Sequence, residues 1–519
     1  MKIKDFFEHY GIIGNPFAEE DAQTDLVFKS HCIKTTFHAA WDKLFGSASE
    51  PSTSLVFGEK GSGKTALRLQ MVRALGEYNA DHPDSRPLVI EYDDFNPYLD
   101  AFKSRFSRRR APERILDQLK VWDHLDALLS LGTTQLVDRI LYPSEVSYPA
   151  AVDVKPIPVE RLSRHQKRDL LMLLSCYDCS RSEEPQARWH RLAKKLAFRS
   201  WKSCLGTRRE CVFGVVGSLL LFLLLVVGWR AGWFAERFDF SGFSGLWTAV
   251  KVLVACAVVL TLPWIPRAWK FLCRQWKARQ LSRSLYVIKH RTGTLRKMLS
   301  EFPGEDYVSL PLPVRRESDN RYELLMRFQN ILGVLGFPGM IVLVDRVDEP
   351  YLINGSTPLM KLLVWPMLDN KLLQHPGIGF KMLLLDSLLR LVDKESKEFH
   401  ERSRIDKQNL VRNLDWTGPS LMDVANARLT ACGSGQNGTP TTIDQFFDET
   451  IGRNRLVESF AKLKVPRHLF KFLYRLLATH CSAYPDGEPA WKISPTTFET
   501  VLALYLKERE SAEQQLGVV

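Results

Sequence analysis

Lys64 and Thr65 close the octet Gly58-Glu59-Lys60-Gly61-Ser62-Gly63-Lys64-Thr65, whose residue types and spacing suit a phosphate chain. Three glycines let the backbone curl until successive N–H groups point at one anion. Lys64 would bring a compact positive charge to β- and γ-phosphates, and the Thr65 hydroxyl is a hard oxygen ligand for Mg²⁺. More oxygens stand far downstream, in Asp345-Arg346-Val347-Asp348-Glu349. Asp345 would hold the metal through water, while Asp348 or Glu349 would orient a water for attack on the γ-phosphate. Arg467, following Val465-Pro466 at a helix start, either reads the same phosphate or is a solvated surface arginine.

These residues need a rigid frame, and the flanking pattern supplies one. The octet follows the apolar run Leu55-Val56-Phe57 and precedes the periodic segment Ala66 to Val72, which reads as strand, glycine loop, helix. The helix adds the positive end of its dipole to the cradle. Pro87 to Tyr92, Met340 to Val344, Phe380 to Leu385 and Leu410 to Trp416 read as further strands. Runs apolar at nearly every position belong to parallel strands covered on both faces, and such sheets carry their ligands at the carboxyl ends. Asp93-Asp94 and Asp386 fall at such ends; Asp386 near a phosphate would need a metal or an arginine to offset its charge. The expected fold is therefore α/β, a parallel sheet with a helical insertion and a C-terminal helical lid.

The formal charge of +12 resides in two segments. Arg188 to Arg209 holds eight basic residues and no acid, Arg267 to Arg283 six more and no acid, and +12 less those fourteen leaves −2. Between them lie the uncharged run Cys211 to Trp229 and a second apolar run, Leu246 to Ile265, interrupted only by Lys251. Nineteen residues in a helix span about 28 Å, close to a bilayer's hydrocarbon thickness. The expectation is a transmembrane hairpin, about 211–229 and 246–266, with basic collars on anionic headgroups and both termini cytoplasmic. A nucleic-acid partner is disfavoured, because the charge collars apolar helices and no DNA-reading motif is evident. The nine cysteines are scattered, which argues against a disulfide framework, and Cys176-x-x-Cys179 reads as structural. No apolar stretch in Met1 to Phe17 reads as a cleavable signal peptide. Leu281, Leu285, Ile288, Thr292, Leu295 and Leu299 alternate four and three apart, which predicts one stalk-like helix ending before Pro303.

Lys64 and Asp345 are 281 positions apart, far more than a βαβ unit needs, so the hairpin sits inside the nucleotide-binding unit. Transmembrane helices between these two motifs resemble the KAP group of P-loop NTPases, and Asp345-x-x-Asp348-Glu349 is similar to the D-x-x-D-E of STAND and NACHT ATPases. Asn15-Pro16-Phe17 ahead of the glycine loop resembles the entry of AAA-type ATPases. Arg346 and Glu349 depart from the KAP pattern, which usually has an acid at the first position and arginine at the second. The resemblance implies ATP and Mg²⁺ as cofactors, slow hydrolysis as a conformational or assembly switch in signalling or defence, a homo-oligomer, and the bacterial inner membrane. The competing expectations are a nucleotide-gated membrane scaffold with little turnover and a nucleic-acid-associated ATPase. In sequence, the expected units are an N-terminal helical segment (1–50), a first core part (51–110), a helical insertion (111–186), collars and hairpin (187–285), stalk and linker (286–319), a second core part (320–432) and the lid (433–519).

Overall fold

The computed structural model describes residues 1–107, 109–143, 157–180, 183–198, 264–434, 441–485 and 488–517, with scattered positions between 212 and 261. It is an α/β structure built on one five-stranded sheet, in which the strands at 88–92, 340–344, 378–385, 54–58 and 409–411 lie side by side in that order. The strands are β1 (Ser54–Gly58), β2 (Leu88–Tyr92), β3 (Met340–Val344), β4 (Ile378–Leu385) and β5 (Asn409–Val411). Every adjacent pair is parallel. All five occur where the apolar runs predict them, though β5 is shorter than Leu410 to Trp416. Leu55, Phe57, Val342, Val344, Met382 and Leu384 supply one face of the main core, while Val56, Val89, Ile341, Leu343 and Leu383 supply the other. Cover on both faces is why these strands lack the polar alternation of a half-exposed sheet.

From β1 the chain crosses to β2 at one edge, and from β4 it passes β1 to reach β5 at the other. The carboxyl end of β1 thus lies beside the point where the connections diverge, the usual place for a ligand crevice in an open α/β sheet. Residues 93–339, between β2 and β3, form the insertion. Its described helices include α1 (Val121–Leu141), α2 (Arg164–Tyr177), α3 (Pro185–Lys195), α4 (Ile265–Ser284), α5 (Thr292–Ser300) and α6 (Ser318–Val334). They share the main core with the sheet through Leu125, Leu129, Leu173, Leu281, Leu299 and Phe328.

The single stalk expected from Leu281 to Leu299 is instead two helices. Helix α4 ends at Ser284, residues 285–291 leave the helix, and α5 starts at Thr292 and packs against α4. Leu285, Val287 and Ile288 are buried in the same core as Leu281 and Leu295. The apolar repeat is thus satisfied by burial on both sides of a break, which periodicity alone does not reveal.

Part of the collars' charge is paired within the protein, while Arg199, Lys202, Arg208 and Arg209 lie outside the described residues. Arg188 is fully buried, with Nη1 donating to Asp138 at 2.7 Å and Nε to Asp178 at 3.0 Å. Arg191 pairs with Glu183 at 2.7 Å, and Lys195 donates to the Ile140 carbonyl. Arg274 and Lys277 lie over the Tyr307 ring, at 5.5 and 4.7 Å from its centroid. A lone charge run thus concealed partners distant in sequence.

The span expected at 246–266 lies almost wholly outside the described residues, as does much of 211–229; the described positions in 212–227 are helical, and their large apolar side chains are exposed. Among the described residues no helix is long and apolar enough to cross a membrane.

The C-terminal part, α7 (Gly418–Ala431), α8 (Arg453–Ala461), α9 (Pro466–Ala483) and α10 (Pro495–Gly517), forms a second core, with Leu469, Phe472, Leu473 and Leu476 inward as their spacing predicts. Phe6, Phe7 and Phe17 belong to this core, so the two ends of the chain pack together.

Candidate functional site

The glycine loop leaves β1 at Gly58 and enters helix Lys64–Asp81. Gly61 and Gly63 hold φ of 92° and 93°, left-handed values that only glycine adopts without strain. A Cβ on Gly61 would stand 2.6 Å from the Arg467 side chain, so that glycine also allows the C-terminal helices to close on the loop. The Arg467 backbone N–H donates to the Gly61 carbonyl at 3.4 Å, and Trp416 Nε1–H donates to the Ser62 carbonyl at 2.9 Å. Trp416 in turn bonds through its backbone to Lys464, just ahead of Pro466 at the first turn of α9.

The sequence-predicted residues converge on one crevice. Lys60, Gly61, Ser62, Gly63, Lys64, Thr65, Asp345, Asp348, Glu349 and Arg467 all line it. Gly58 and Glu59 do not line it; their carbonyls each accept from Lys64 Nζ at 2.8 Å. Burial lowers the Lys64 ammonium to about 8, against the opposing pull of Asp345, Asp348 and Asp386. Thr65 Oγ1 donates to Asp345 Oδ2 at 3.1 Å, which brings together two oxygens 280 positions apart in the chain. Asp345 is buried at the carboxyl end of β3, and burial pushes its carboxyl upward, opposed most by Arg68.

The two neighbouring acids after β3 face different ways. Asp348 is largely covered and turned toward the glycine loop, with Lys60 Nζ at 4.0 Å. Glu349 is half exposed and bound to Arg346 at 2.7 Å. Arg346 has a left-handed φ of 59° and donates to Gln23 at 2.7 Å. It is therefore engaged across the crevice by the N-terminal segment. Asp386 begins helix Asp386–Val392 and pairs one turn on with the exposed Arg390 at 3.1 Å; it is not among the residues that line the crevice.

Several residues at the site were not singled out by the sequence. Arg68 lies one helical turn after Lys64 and is almost fully buried; it reaches Asp345 at 3.4 Å, Asp93 at 3.0 Å and Glu91. Its four-residue spacing from Lys64 was a usable signal, since i and i+4 share a helix face. Glu20 approaches Arg467 at 3.8 Å and Lys471 at 3.4 Å, and Asp25 pairs with Arg428 at 2.6 Å. Arg428 stacks on Phe470 and accompanies Phe28 and Val424 along the apolar side of the crevice. No local pattern marks these, because their partners lie hundreds of residues away.

The donors present fit a polyphosphate with a divalent cation. Ser62 Oγ and Arg467 Nε are buried without a hydrogen-bond partner among the described residues, and both adjoin the glycine cradle. Buried donors left unsatisfied cost about 1–3 kcal/mol each, so a ligand oxygen here recovers free energy. The Thr65 hydroxyl and Asp345 carboxylate are hard oxygen ligands of the kind Mg²⁺ prefers. No family model, no curated protein and no solved structure matches this chain.

Proposed function

We propose that the chain is a membrane-anchored, cytoplasm-facing P-loop ATPase that binds Mg·ATP and hydrolyses it slowly, as a conformational or assembly switch. The observation that carries this reading is the meeting of Thr65 and Asp345 at 3.1 Å beside Lys64 and a loop with two left-handed glycines. The metal would neutralise charge on the β- and γ-oxygens. Lys64 exchanges the Gly58 and Glu59 carbonyls for phosphate oxygens, and its buried charge is worth more there than in water. Arg68 holds Asp345 and disperses its charge toward Glu91 and Asp93. Arg467 stands over the loop with Nε making no hydrogen bond among the described residues and only the Glu20 carboxylate near it at 3.8 Å, a contact that a γ-phosphate would replace if this is a lid arginine. Between the two candidate carboxylates, Asp348 is the one free to orient water, since Glu349 is turned onto Arg346. The exposed apolar positions between 212 and 227 support the membrane part of the reading.

Phosphate release by the purified full-length protein tests the chemistry. Lys64→Ala should remove turnover, and Asp348→Asn should lower kcat about 10²- to 10³-fold, the usual cost of losing one catalytic electrostatic or proton-handling group. Glu349→Gln should change kcat less than tenfold. A wild-type protein that neither binds nor hydrolyses ATP overturns the assignment.

A nucleotide-gated scaffold with little turnover is the second reading, favoured by the Glu20 contacts that tether Arg467 and Lys471 away from an incoming phosphate. Particle mass with and without ATP, measured beside phosphate release, separates the two, because rapid multiple turnover excludes a scaffold.

A further inference from the structure

Helix α4 presents an outward stripe that its role in the core does not explain. Ile265, Trp269, Leu272 and Trp276 recur at four- and three-residue spacing, which puts them on one face, and all four are exposed, Trp269 by 67% and Trp276 by 64%. Over these eleven steps the stripe runs about 17 Å along the helix. The next two positions in the same register are Arg279 and Arg283, also exposed. The opposite side seats Ala278 and Leu281 in the core. Arg274 and Lys277 are occupied by Tyr307, and Arg296 covers Phe271 at 4.4 Å, so the outward charge of the stripe is confined to its C-terminal end.

We propose that this stripe lies at the surface of an anionic bilayer, with Ile265 to Trp276 at the level where acyl chains meet headgroups and Arg279 and Arg283 among the headgroups. The proposal rests on the membrane reading above and adds a depth and an orientation to it. Indole rings are amphipathic and favour this boundary, while arginines one turn further out meet lipid phosphates. Arg279 and Arg283, exposed at the end of the stripe on a helix with no acid, suit an anionic partner and oppose close approach of a second copy of the same face. The surface is also continuous with other apolar residues. Trp264 Nε1–H donates to Ser218 Oγ at 3.0 Å, which joins the start of α4 to the exposed helical positions of 212–227. A run of exposed aliphatic and indole side chains on this scale marks an interaction surface.

The test uses the full-length protein reconstituted in vesicles of phosphatidylcholine and phosphatidylglycerol whose acyl chains are brominated close to the headgroup. Trp269→Phe/Trp276→Phe keeps the stripe apolar but removes two of the thirteen tryptophans. The expected result is a smaller quenched fraction of the remaining fluorescence, because two interfacial indoles have gone. A fraction that stays constant or rises overturns the proposal, since both indoles would then sit in water or against protein. Quenching that depends on protein concentration rather than on brominated lipid overturns it in favour of a protein partner. Arg279→Glu/Arg283→Glu should reduce shallow quenching of the native tryptophans in the anionic vesicles, and unchanged quenching overturns the anionic assignment. A carbonate wash of the same vesicles distinguishes the two levels of failure. Wild-type protein released by the wash removes the membrane reading itself, whereas retained protein with unaltered quenching removes only the interfacial placement.

Discussion

Arg321 and Arg188 in the helical insertion are saturated by their partners, whereas the groups that face the glycine loop keep positions open. In the insertion, Arg321 is fully enclosed, with Nε and Nη2 on both oxygens of Asp126 at 3.0 and 3.2 Å, and Nη1 and Nη2 also reach the Arg315 and Ser284 carbonyls. Tyr177 donates to the same carboxylate at 2.8 Å. Arg188 is equally saturated by Asp138 and Asp178. In the crevice, Ser62 and Arg467 retain unused donors and Lys64 rests on backbone carbonyls that a stronger acceptor can replace. A closed network has no capacity for a ligand, and its contribution is to fix the positions of α1, α2 and α6. An open one is held in place by surrounding structure and remains ready to bind. Arginine is therefore architectural where it is buried, at Arg321 and Arg188, and keeps a hydrogen-bonding position open where it is partly exposed over the loop, at Arg467.

Arg321→Ala should produce the largest effect on stability. It leaves Asp126 buried and unpaired, a loss of about 3–5 kcal/mol, read as a lowered denaturant midpoint. Lys64→Ala should leave that midpoint nearly unchanged despite abolishing turnover; comparable destabilisation by the two variants would break the contrast.

The pH dependence should sharpen it next. Phosphate binding favours charged Lys64, whose ammonium in the ligand-free protein titrates at about 8. ATP affinity is then flat below that pH and weakens by up to about tenfold per unit above it, as binding must take up a proton. Titration calorimetry should show this slope in the wild type and its absence in Lys64→Ala. Because the folded value lies below the ordinary lysine value of 10.5, the unfolded state binds more protons in that window, and Lys64 makes stability rise from about pH 8 to 10.5.

Trp416→Phe should have the smallest consequence. It deletes one hydrogen bond to the Ser62 carbonyl, worth about 1 kcal/mol, and should weaken ATP binding roughly fivefold with little change in fold stability. An unaltered affinity would mean that Trp416 does not support the loop.

The strands and the site were legible to different degrees. Met340 to Val344 is apolar throughout and ends in acids, so both its burial and the place of Asp345 follow from local sequence. Gly61 and Gly63 announce their left-handed backbone by type. The Leu281 to Leu299 repeat misled because burial on either side of a break leaves the same spacing as one continuous helix. Within the basic run beginning at Arg188, the pairing of Arg188 itself with Asp138 and Asp178 is invisible to a reading confined to neighbours. Arg68 lay within reach of sequence reasoning, whereas Glu20 and Trp416 did not.

By itself, the sequence determined the chemical inventory: a loop able to curl around phosphates, a lysine, a hydroxyl and acids at strand ends, since these depend on residue type and short spacing. Only the tertiary structure decided that Thr65 meets Asp345, that Asp348 rather than Glu349 faces the loop, and which arginines are spent on internal pairs. Those outcomes depend on contacts between segments separated by hundreds of residues, and local periodicity carries no record of them.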